Sequence, residues 1–200
     1  MKQYSEACEQ NKDPILAILR EAFADARNVL EIGSGTGQHA VYFSAQLPHL
    51  YWQTSDLPEN HPGILAWLQE AALENTLAPF TLDTESATWP QQAPRQHYDG
   101  LFSANTTHIM HWPAVQGLFA GAGELLERNG TFCLYGPFNY QGTYTSDSNR
   151  RFDEWLKDRD PASGIRHFEE LASLASENNL ELAADHEMPV NNRLLVWKRY

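Results

Sequence analysis

A glycine-rich turn between a strand and a helix constrains the fold of this chain more than any other feature of its sequence. Asn28–Ile32 is a short apolar run, Gln38–Gln46 has a helical pattern, and Gly33, Gly35 and Gly37 lie between them. Glycine permits a tight backbone turn and a close approach by a ligand, and the N-terminus of a helix presents unpaired N–H groups. The turn therefore predicts a ligand-binding βα unit.

The alternation of strand and helix continues along the chain. It predicts an α/β fold with a mostly parallel seven-stranded sheet, an antiparallel strand near the C-terminus and helices on both faces. The predicted strands are residues 28–32, 50–55, 80–82, 98–104, 131–135, 182–188 and 194–198. The predicted helices are residues 14–23, opened by Asp13 as N-cap, then 38–46, 62–75, 113–128, closed by Gly130 as a left-handed residue, and 166–178.

The length and pattern predict one domain. The chain has 200 residues, of which 42% are hydrophobic, so it can bury a continuous core. We expect a single domain over residues 1–200, with an N-terminal helical segment at about 1–26. Residues 136–164 interrupt the alternation with a stretch rich in Tyr, Asn, Ser and Gly. This stretch predicts an insertion over the carboxyl edge of the sheet.

Charge and cysteine usage restrict the partners and the compartment. Lysine and arginine total 14 against 26 aspartate and glutamate, a formal charge of −12, which disfavours nucleic acids and anionic membranes. Cys8 and Cys133 are far apart and suit reduced thiols better than a disulfide. With no signal-like or membrane-spanning apolar stretch, we expect a cytoplasmic monomer or homodimer that acts on a small molecule.

Polar residues follow further strands of the predicted sheet. Asp56 lies about 20 residues after the glycine turn, where a carboxylate accepts the hydroxyls of a nucleotide ribose. Asp83 and Asn105 follow the next two strands. Because ligands of open α/β sheets bind at the carboxyl ends of the strands, these positions are candidate cofactor contacts. A dinucleotide motif would have its third glycine at the position of Gln38, which disfavours, without excluding, a nicotinamide-dependent oxidoreductase.

The turn resembles the first motif of class I methyltransferases. Its residues read Glu31-Ile-Gly33-Ser34-Gly35-Thr36-Gly37. In that family the loop packs along the amino-acid part of S-adenosylmethionine, and the resemblance implies this cofactor for the present chain. It also implies an Asp83 contact near the adenine amino group and an Asn105 position lining the cofactor and acceptor pocket.

Residues 5–16, 29–39 and 148–156 together are similar to the methyltransferase-like twenty-six family, a group of uncharacterised methyltransferases. This resemblance spans nearly the whole chain and implies the class I fold and S-adenosylmethionine binding, without an acceptor. It further implies pocket positions for five residues: Asn11, Lys12, Tyr140, Asn149 and Arg166.

Candidate catalytic residues follow the fourth predicted strand. His108 or His111 is a candidate proton acceptor, since histidine titrates near neutral pH, although both can simply line the next helix. Their H-x-x-H spacing lacks the third ligand and the glutamate of a zinc site, so we expect no metal. The run Asn105-Thr-Thr-His108 departs from the Asn/Asp-Pro-Pro-Tyr/Phe run of amino-group methyltransferases, which disfavours such acceptors.

The insertion supplies the remaining candidates. Tyr140 and Tyr144 are interpreted as a lid over the acceptor with a possible catalytic role, whereas Phe152 and Trp155 fit core packing. Arg166 is a candidate partner for an acceptor carboxylate or a surface salt bridge. A non-catalytic S-adenosylmethionine-binding module that acts through a partner remains an alternative, because methyl transfer does not always need a base.

Overall fold

A computed structural model describes residues 2–200, so Met1 lies outside the described part of the chain. The helices are α1 Glu6–Ala22, α2 Gln38–Gln46, α3 His61–Ala71, α4 Trp89–Gln92, α5 Trp112–Leu125, α6 Asp147–Arg159 and α7 Phe168–Glu177. The strands are β1 Asn28–Ile32, β2 Tyr51–Asp56, β3 Thr76–Thr81, β4 Tyr98–Ala104, β5 Leu126–Gly136, β6 Phe138–Asn139, β7 Arg166–His167, β8 Leu180–Met188 and β9 Asn192–Arg199.

The main sheet has the strand order β3-β2-β1-β4-β5-β9-β8. Strands β1 to β5 are parallel, and β9 runs antiparallel to both β5 and β8. The predicted α/β fold with a mostly parallel seven-stranded sheet is confirmed. The strand order reverses between β1 and β4, and this is where open sheets form a ligand-binding crevice.

Each face of the sheet carries its own apolar cluster. One cluster joins α1 and α2 to the sheet through Ile15, Leu19, Phe43 and Trp52. The other joins α5 and α7 to the opposite face and includes buried Phe119, Leu171 and Trp197. Burial of apolar surface on both faces holds the sheet between helical layers, so the strand ends and their loops are left to form the site.

The first helix begins eight residues earlier than the sequence pattern predicts. Ser5, not Asp13, is the N-cap, since its Oγ accepts a hydrogen bond of 3.3 Å from the Cys8 N–H. Pro14 therefore lies inside α1, where it removes one backbone hydrogen bond. Burial of Ile15 and the residues that follow it offsets this loss. The early start brings residues 5–11 over the carboxyl edge of the sheet.

Two predicted boundaries near β5 and β3 are also wrong. Helix α5 ends at Leu125 and the strand begins at Leu126, and the left-handed residue of this turn is Asn129, with φ 67°, rather than Gly130. A Cβ on Gly130 would lie 2.8 Å from the Glu127 carbonyl oxygen, so glycine is needed there for close packing. Strand β3 is Thr76–Thr81 rather than residues 80–82. The prediction missed its start because an edge strand with mixed burial has a weak apolar pattern.

The stretch predicted as an insertion contains β6 and α6 and leads into β7. Strand β6 pairs with β7 in a parallel two-stranded sheet. Helix α6 is capped by Ser146, whose Oγ accepts from the Asn149 N–H. This unit lies against the loop after β4. No helix within residues 2–200 is both long and apolar enough to cross a membrane.

Candidate active site

A cavity of about 840 Å³ runs along the carboxyl ends of the strands. One part, here called the glycine half, is lined by residues within 33–36, 56–60 and 82–85, which follow β1, β2 and β3. The other, the histidine half, is lined by residues within 104–114, 135–137, 148–152 and 189–192. Residues 5–11 of α1 form a further wall. The reversal of strand order between β1 and β4 thus places the two halves side by side.

The three glycines of the turn have different environments, although all have positive φ. A Cβ on Gly33 would lie 2.6 Å from Thr106 Cγ2, and one on Gly37 would lie 3.0 Å from Ile64 Cα, so these two allow close packing. Gly35 has φ 57° and no atom within 4 Å of a Cβ placed on it. It lines the cavity together with Ser34 and Thr36. The backbone at Gly35 is therefore open to a ligand.

Asp56 lies at the end of β2, beside the glycine turn. Its Oδ2 accepts a hydrogen bond of 2.6 Å from the Gly35 N–H, and its Oδ1 accepts from the Leu57 N–H and from Asn60 Nδ2, at 2.7 and 2.8 Å. The carboxylate is buried yet lines the cavity. These bonds fix its orientation, and a carboxylate oxygen has further lone pairs for ligand hydroxyls.

Asp83 and Asn105 also line the cavity, on opposite sides of the glycine turn. Asp83 is exposed, and its Oδ1 accepts from the Glu85 N–H at 2.9 Å. Asn105 is left-handed, with φ 59°, and its N–H donates to the Tyr135 carbonyl at 2.9 Å. The structure therefore places one of these residues in the lining of each half, and their contacts with a cofactor stay predictions.

Glu31 lies behind the turn rather than in the cavity lining. It is 2% exposed, and Trp52 Nε1 donates to its Oε2 at 3.1 Å. Burial raises the pKa of this carboxyl to about 7, although hydrogen bonds from Trp52 and Ser34 oppose the shift. Gly37, the residue before α2, is likewise outside the lining. Glu31 and Gly37 thus support the turn from behind.

Asn11 joins α1 to the site through a buried histidine. His39 Nε2 and Asn11 Oδ1 are 2.7 Å apart, and the His39 ring stacks on Phe43. Burial lowers the pKa of His39 to about 4, so the ring is neutral at pH 7 and its Nε2–H donates to Asn11. Lys12 points away and pairs with Glu9. Of these two neighbours, only Asn11 reaches the cavity.

His108 is the buried titratable side chain of the histidine half. It is 5% exposed, lines the cavity and meets Phe152 edge to face at 5.3 Å between ring centroids. Its Nδ1 is buried and has no hydrogen-bond partner, whereas its Nε2 is not buried to the same extent. Burial, together with the charge of Arg166, lowers the pKa of His108 to about 4. The ring is therefore neutral at pH 7 and has a nitrogen lone pair that can accept a hydrogen bond, while the lowered pKa makes it a weaker base than a free imidazole.

The loop after β4 is held by the segment before α7. Arg166 Nε donates to the Thr107 carbonyl at 2.9 Å, and its Nη2 donates to the carbonyls of Met110 and Ala162. The Gly164 N–H donates to the His108 carbonyl at 2.9 Å. Arg166 does not line the cavity and makes neither the acceptor contact nor the surface salt bridge considered for it. Its role is to hold the loop that carries His108.

The two tyrosines interpreted as a lid lie outside the cavity. Tyr140 stacks on Phe168, and its hydroxyl donates to Asp185 at 2.8 Å. The Tyr144 hydroxyl donates to Asp153 at 2.7 Å. Both hydroxyls are thus engaged by carboxylates of the fold, and the structure gives no support to a catalytic role for either tyrosine.

His111 differs from His108 in its surroundings. It is half exposed, and its Nε2 lies 2.7 Å from Asp160 Oδ2. Within residues 2–200 no group of three or more His, Cys, Asp or Glu side chains is arranged to hold a metal ion. The expectation that the site works without a metal stays a prediction.

Sequence reasoning missed several residues of the histidine half. Phe152 was interpreted as packing, yet it lines the cavity, as do Tyr135, Val190 and Asn192. Val190 belongs to the loop between β8 and β9 and Asn192 is the first residue of β9, and nothing in a loop sequence indicates which strand end it will cover. Asn149 lies in the cavity lining, as the family resemblance implied.

The fold is shared with solved methyltransferases. An O-methyltransferase family protein from Burkholderia thailandensis superposes with a TM-score of 0.81 at 16% identity, covering 94% of this chain and 56% of that one. An O-methyltransferase family 2 protein from Planctomyces limnophilus, in complex with apigenin, gives 0.83 at 13%, covering 97% and 58%. PigF with SAH gives 0.76 at 14%, covering 94% and 61%. The present chain spans little more than half the length of these proteins.

These similarities, with the strand order and the glycine turn, define a class I methyltransferase-like fold. The chain belongs to the family described as protein of unknown function DUF938, whose model matches residues 2–199. The narrower name, methyltransferase-like twenty-six, stays a prediction.

Proposed function

We propose that this protein is an S-adenosylmethionine-dependent methyltransferase that methylates a hydroxyl oxygen of a small molecule. The observation that carries the proposal is the opening of the Gly35 backbone to the cavity directly beside the Asp56 carboxylate. A loop with no side chain at that point, next to a buried carboxylate at the end of β2, fits an adenosine-containing ligand.

The glycine half has the donors and acceptors that this cofactor needs. Residues 33–36 would pack along its amino-acid part, Asp56 would accept the ribose hydroxyls, and Asp83 would lie near the adenine. The carboxylates of this half also favour a cation. S-adenosylmethionine, when bound, supplies a methyl group on a positively charged sulfur.

The histidine half would hold the acceptor. His108, neutral at pH 7 and open at Nε2, would accept the proton that a hydroxyl loses as it is methylated. Phe152 orients the ring from one side, and the bonds from Gly164 and Arg166 hold the backbone of the loop. Enclosure by α1 and the β8–β9 loop would exclude water and align the acceptor, which is most of what methyl transfer requires.

The structural neighbours support this proposal at the level of the fold. Two of them are described as O-methyltransferase family proteins, and one was solved with SAH. In contrast, a dinucleotide-binding sheet in its common form continues with parallel strands after β5, whereas here β9 is antiparallel. This difference disfavours the nicotinamide-dependent oxidoreductase considered from the sequence.

The test has two stages. Calorimetry with S-adenosylmethionine, its product S-adenosylhomocysteine and NADH establishes which cofactor binds. Transfer of a labelled methyl group from S-adenosylmethionine to a metabolite extract then identifies the product. Binding of NADH alone would overturn the proposal. Binding of S-adenosylmethionine without transfer to any extract component would favour the alternative of a non-catalytic module.

A further inference from the structure

The two halves of the cavity differ in charge. The glycine half is lined by three carboxylates, those of Asp56, Asp83 and Glu85. The histidine half is lined by neutral amides, hydroxyls and apolar side chains, with His108, His111 and Tyr135 as its titratable groups. Within residues 2–200, no lysine or arginine lines either half. The guanidinium of Arg166, which holds the loop of His108, is occupied by backbone carbonyls.

Apolar side chains of the histidine half are exposed at the cavity. Val190 is 75% exposed and Ile109 is 59% exposed, and both line the cavity with Phe152. Val190 has φ 61° and ψ 38°, a left-handed conformation that is unfavourable for a β-branched residue. An apolar side chain held in a strained conformation at the mouth of a cavity indicates a surface that a ligand covers.

Asn149 adds a polar contact to this apolar surface. It is buried, and its Nδ2 donates to Thr145 Oγ1 at 2.9 Å and to the Asn191 carbonyl at 3.0 Å. Both amide hydrogens are therefore in use, while Oδ1 is left to accept a hydrogen bond. A group that donates hydrogen bonds, such as a hydroxyl, suits Asn149 Oδ1, whereas a carboxylate or phosphate oxygen does not.

We propose that the histidine half selects an uncharged acceptor with an apolar body and at least one hydroxyl, and rejects carboxylates and phosphates. The body would cover Ile109, Val190 and Phe152, and a hydroxyl would face His108 and Asn149. An anion would meet the carboxylates of the glycine half, and no lining side chain would supply a compensating cation. A cation would have no carboxylate within the histidine half itself. A buried charge without a partner is costly. This inference rests on the proposed function.

The test uses three small phenols that differ in one substituent. The probes are 4-ethylphenol, which is neutral, 4-hydroxyphenylacetate, which is anionic, and tyramine, which is cationic. Their affinities are measured by calorimetry or ligand-observed NMR on protein saturated with S-adenosylhomocysteine. We expect 4-ethylphenol to bind at least about tenfold more tightly than either charged probe.

A positive charge introduced at the rim of the histidine half should change the order of the phenol affinities. Ile109→Arg places a cation in the histidine half at a position exposed enough to accept it, and we expect it to shift the preference toward 4-hydroxyphenylacetate. Tyr51→Arg is the matched control, because Tyr51 is exposed, lies outside the cavity and receives the same charge. It should keep the wild-type order. Val190→Lys repeats the test if Ile109→Arg lowers the melting temperature.

The outcomes separate this inference from the function on which it rests. If S-adenosylhomocysteine does not bind, the proposed function fails, and the inference fails with it. If it binds but a charged phenol binds as tightly as 4-ethylphenol, or none of the three binds, the acceptor class is wrong while the cofactor assignment stands. If Ile109→Arg and Val190→Lys both leave the order of the three phenol affinities unchanged, the inference is also overturned.

Discussion

The glycine half and the histidine half of the cavity are built in different ways. The glycine half consists of short loops that directly follow β1, β2 and β3, and these loops line the cavity with backbone groups and carboxylates. The histidine half draws on four segments, which follow β4 and β5 or belong to α6 and the β8–β9 loop. The comparison teaches that the proposed cofactor site is built from a local motif, whereas the proposed acceptor site is built from side chains that only the complete fold brings together.

The largest effect is expected at Gly35. Gly35→Val should abolish S-adenosylhomocysteine binding, because the side chain would enter the open space of the cavity and resist φ 57°. Gly142→Val is the matched control, since Gly142 also has a positive φ, 71°, and open space, but lies outside the cavity. Each change should cost about 1–2 kcal/mol of stability, yet only the first should affect calorimetric binding. A folded Gly35→Val protein with normal affinity would remove the turn from the site.

The next effect distinguishes the two halves functionally. His108→Asn should lower methyl transfer to extract acceptors about 10²–10⁴-fold while S-adenosylhomocysteine affinity stays unchanged, because the lost group accepts a proton from the acceptor only. His111→Asn is the control, since its Nε2 is engaged by Asp160. Equal losses in both variants would contradict the assignment to His108.

The third prediction concerns Glu31, behind the glycine half, and the dependence of protein stability on pH. Its pKa is about 7 when folded and 4.5 in its ordinary state, so the folded protein binds the extra proton between these values. Stability from this group therefore falls as pH rises from 4.5 to 7. Glu31→Gln cannot titrate, so its free energy of unfolding should rise relative to that of the wild type across this window, by an amount on the order of 3 kcal/mol. A difference independent of pH would show that Glu31 is already ionised at pH 5.

Asp56 tests the ribose contact. Asp56→Ala should weaken S-adenosylhomocysteine binding by about 1–3 kcal/mol, since two hydroxyls lose a charged acceptor and the Gly35 N–H of the turn loses its partner. Glu85→Ala removes the same charge from the same half at an exposed position and should have a smaller effect. Equal losses would mean that general electrostatics, rather than a specific ribose contact, explains the role of Asp56.

The smallest effect concerns the tyrosines outside the cavity. Tyr140→Phe removes the hydrogen bond to Asp185 and should cost about 1 kcal/mol of stability, seen in thermal melts, without changing transfer per folded molecule. Tyr135→Phe is the matched variant for comparing transfer, because Tyr135 lines the histidine half and Tyr140 does not. Loss of transfer in Tyr140→Phe alone would restore the lid interpretation.

The sequence by itself determined the parallel sheet, the glycine turn and the positions of Asp56, Asp83 and Asn105. These features depend on short-range patterns, since a strand, its turn and the next helix are adjacent in the chain. The proposed cofactor rests on the same local motif. Where a predicted boundary is wrong, as at the start of α1, the element still has its predicted place in the order of helices and strands along the chain.

Only the tertiary structure decided which side chains share the histidine half. It separated His108, buried and open at Nε2, from His111, which pairs with Asp160, and it engaged Tyr140 and Tyr144 with carboxylates away from the cavity. It also placed Val190 at the mouth of the site. The physical reason is that hydrogen-bond partners and burial are set by segments far apart in sequence, and the local pattern around a histidine or a tyrosine carries no record of them.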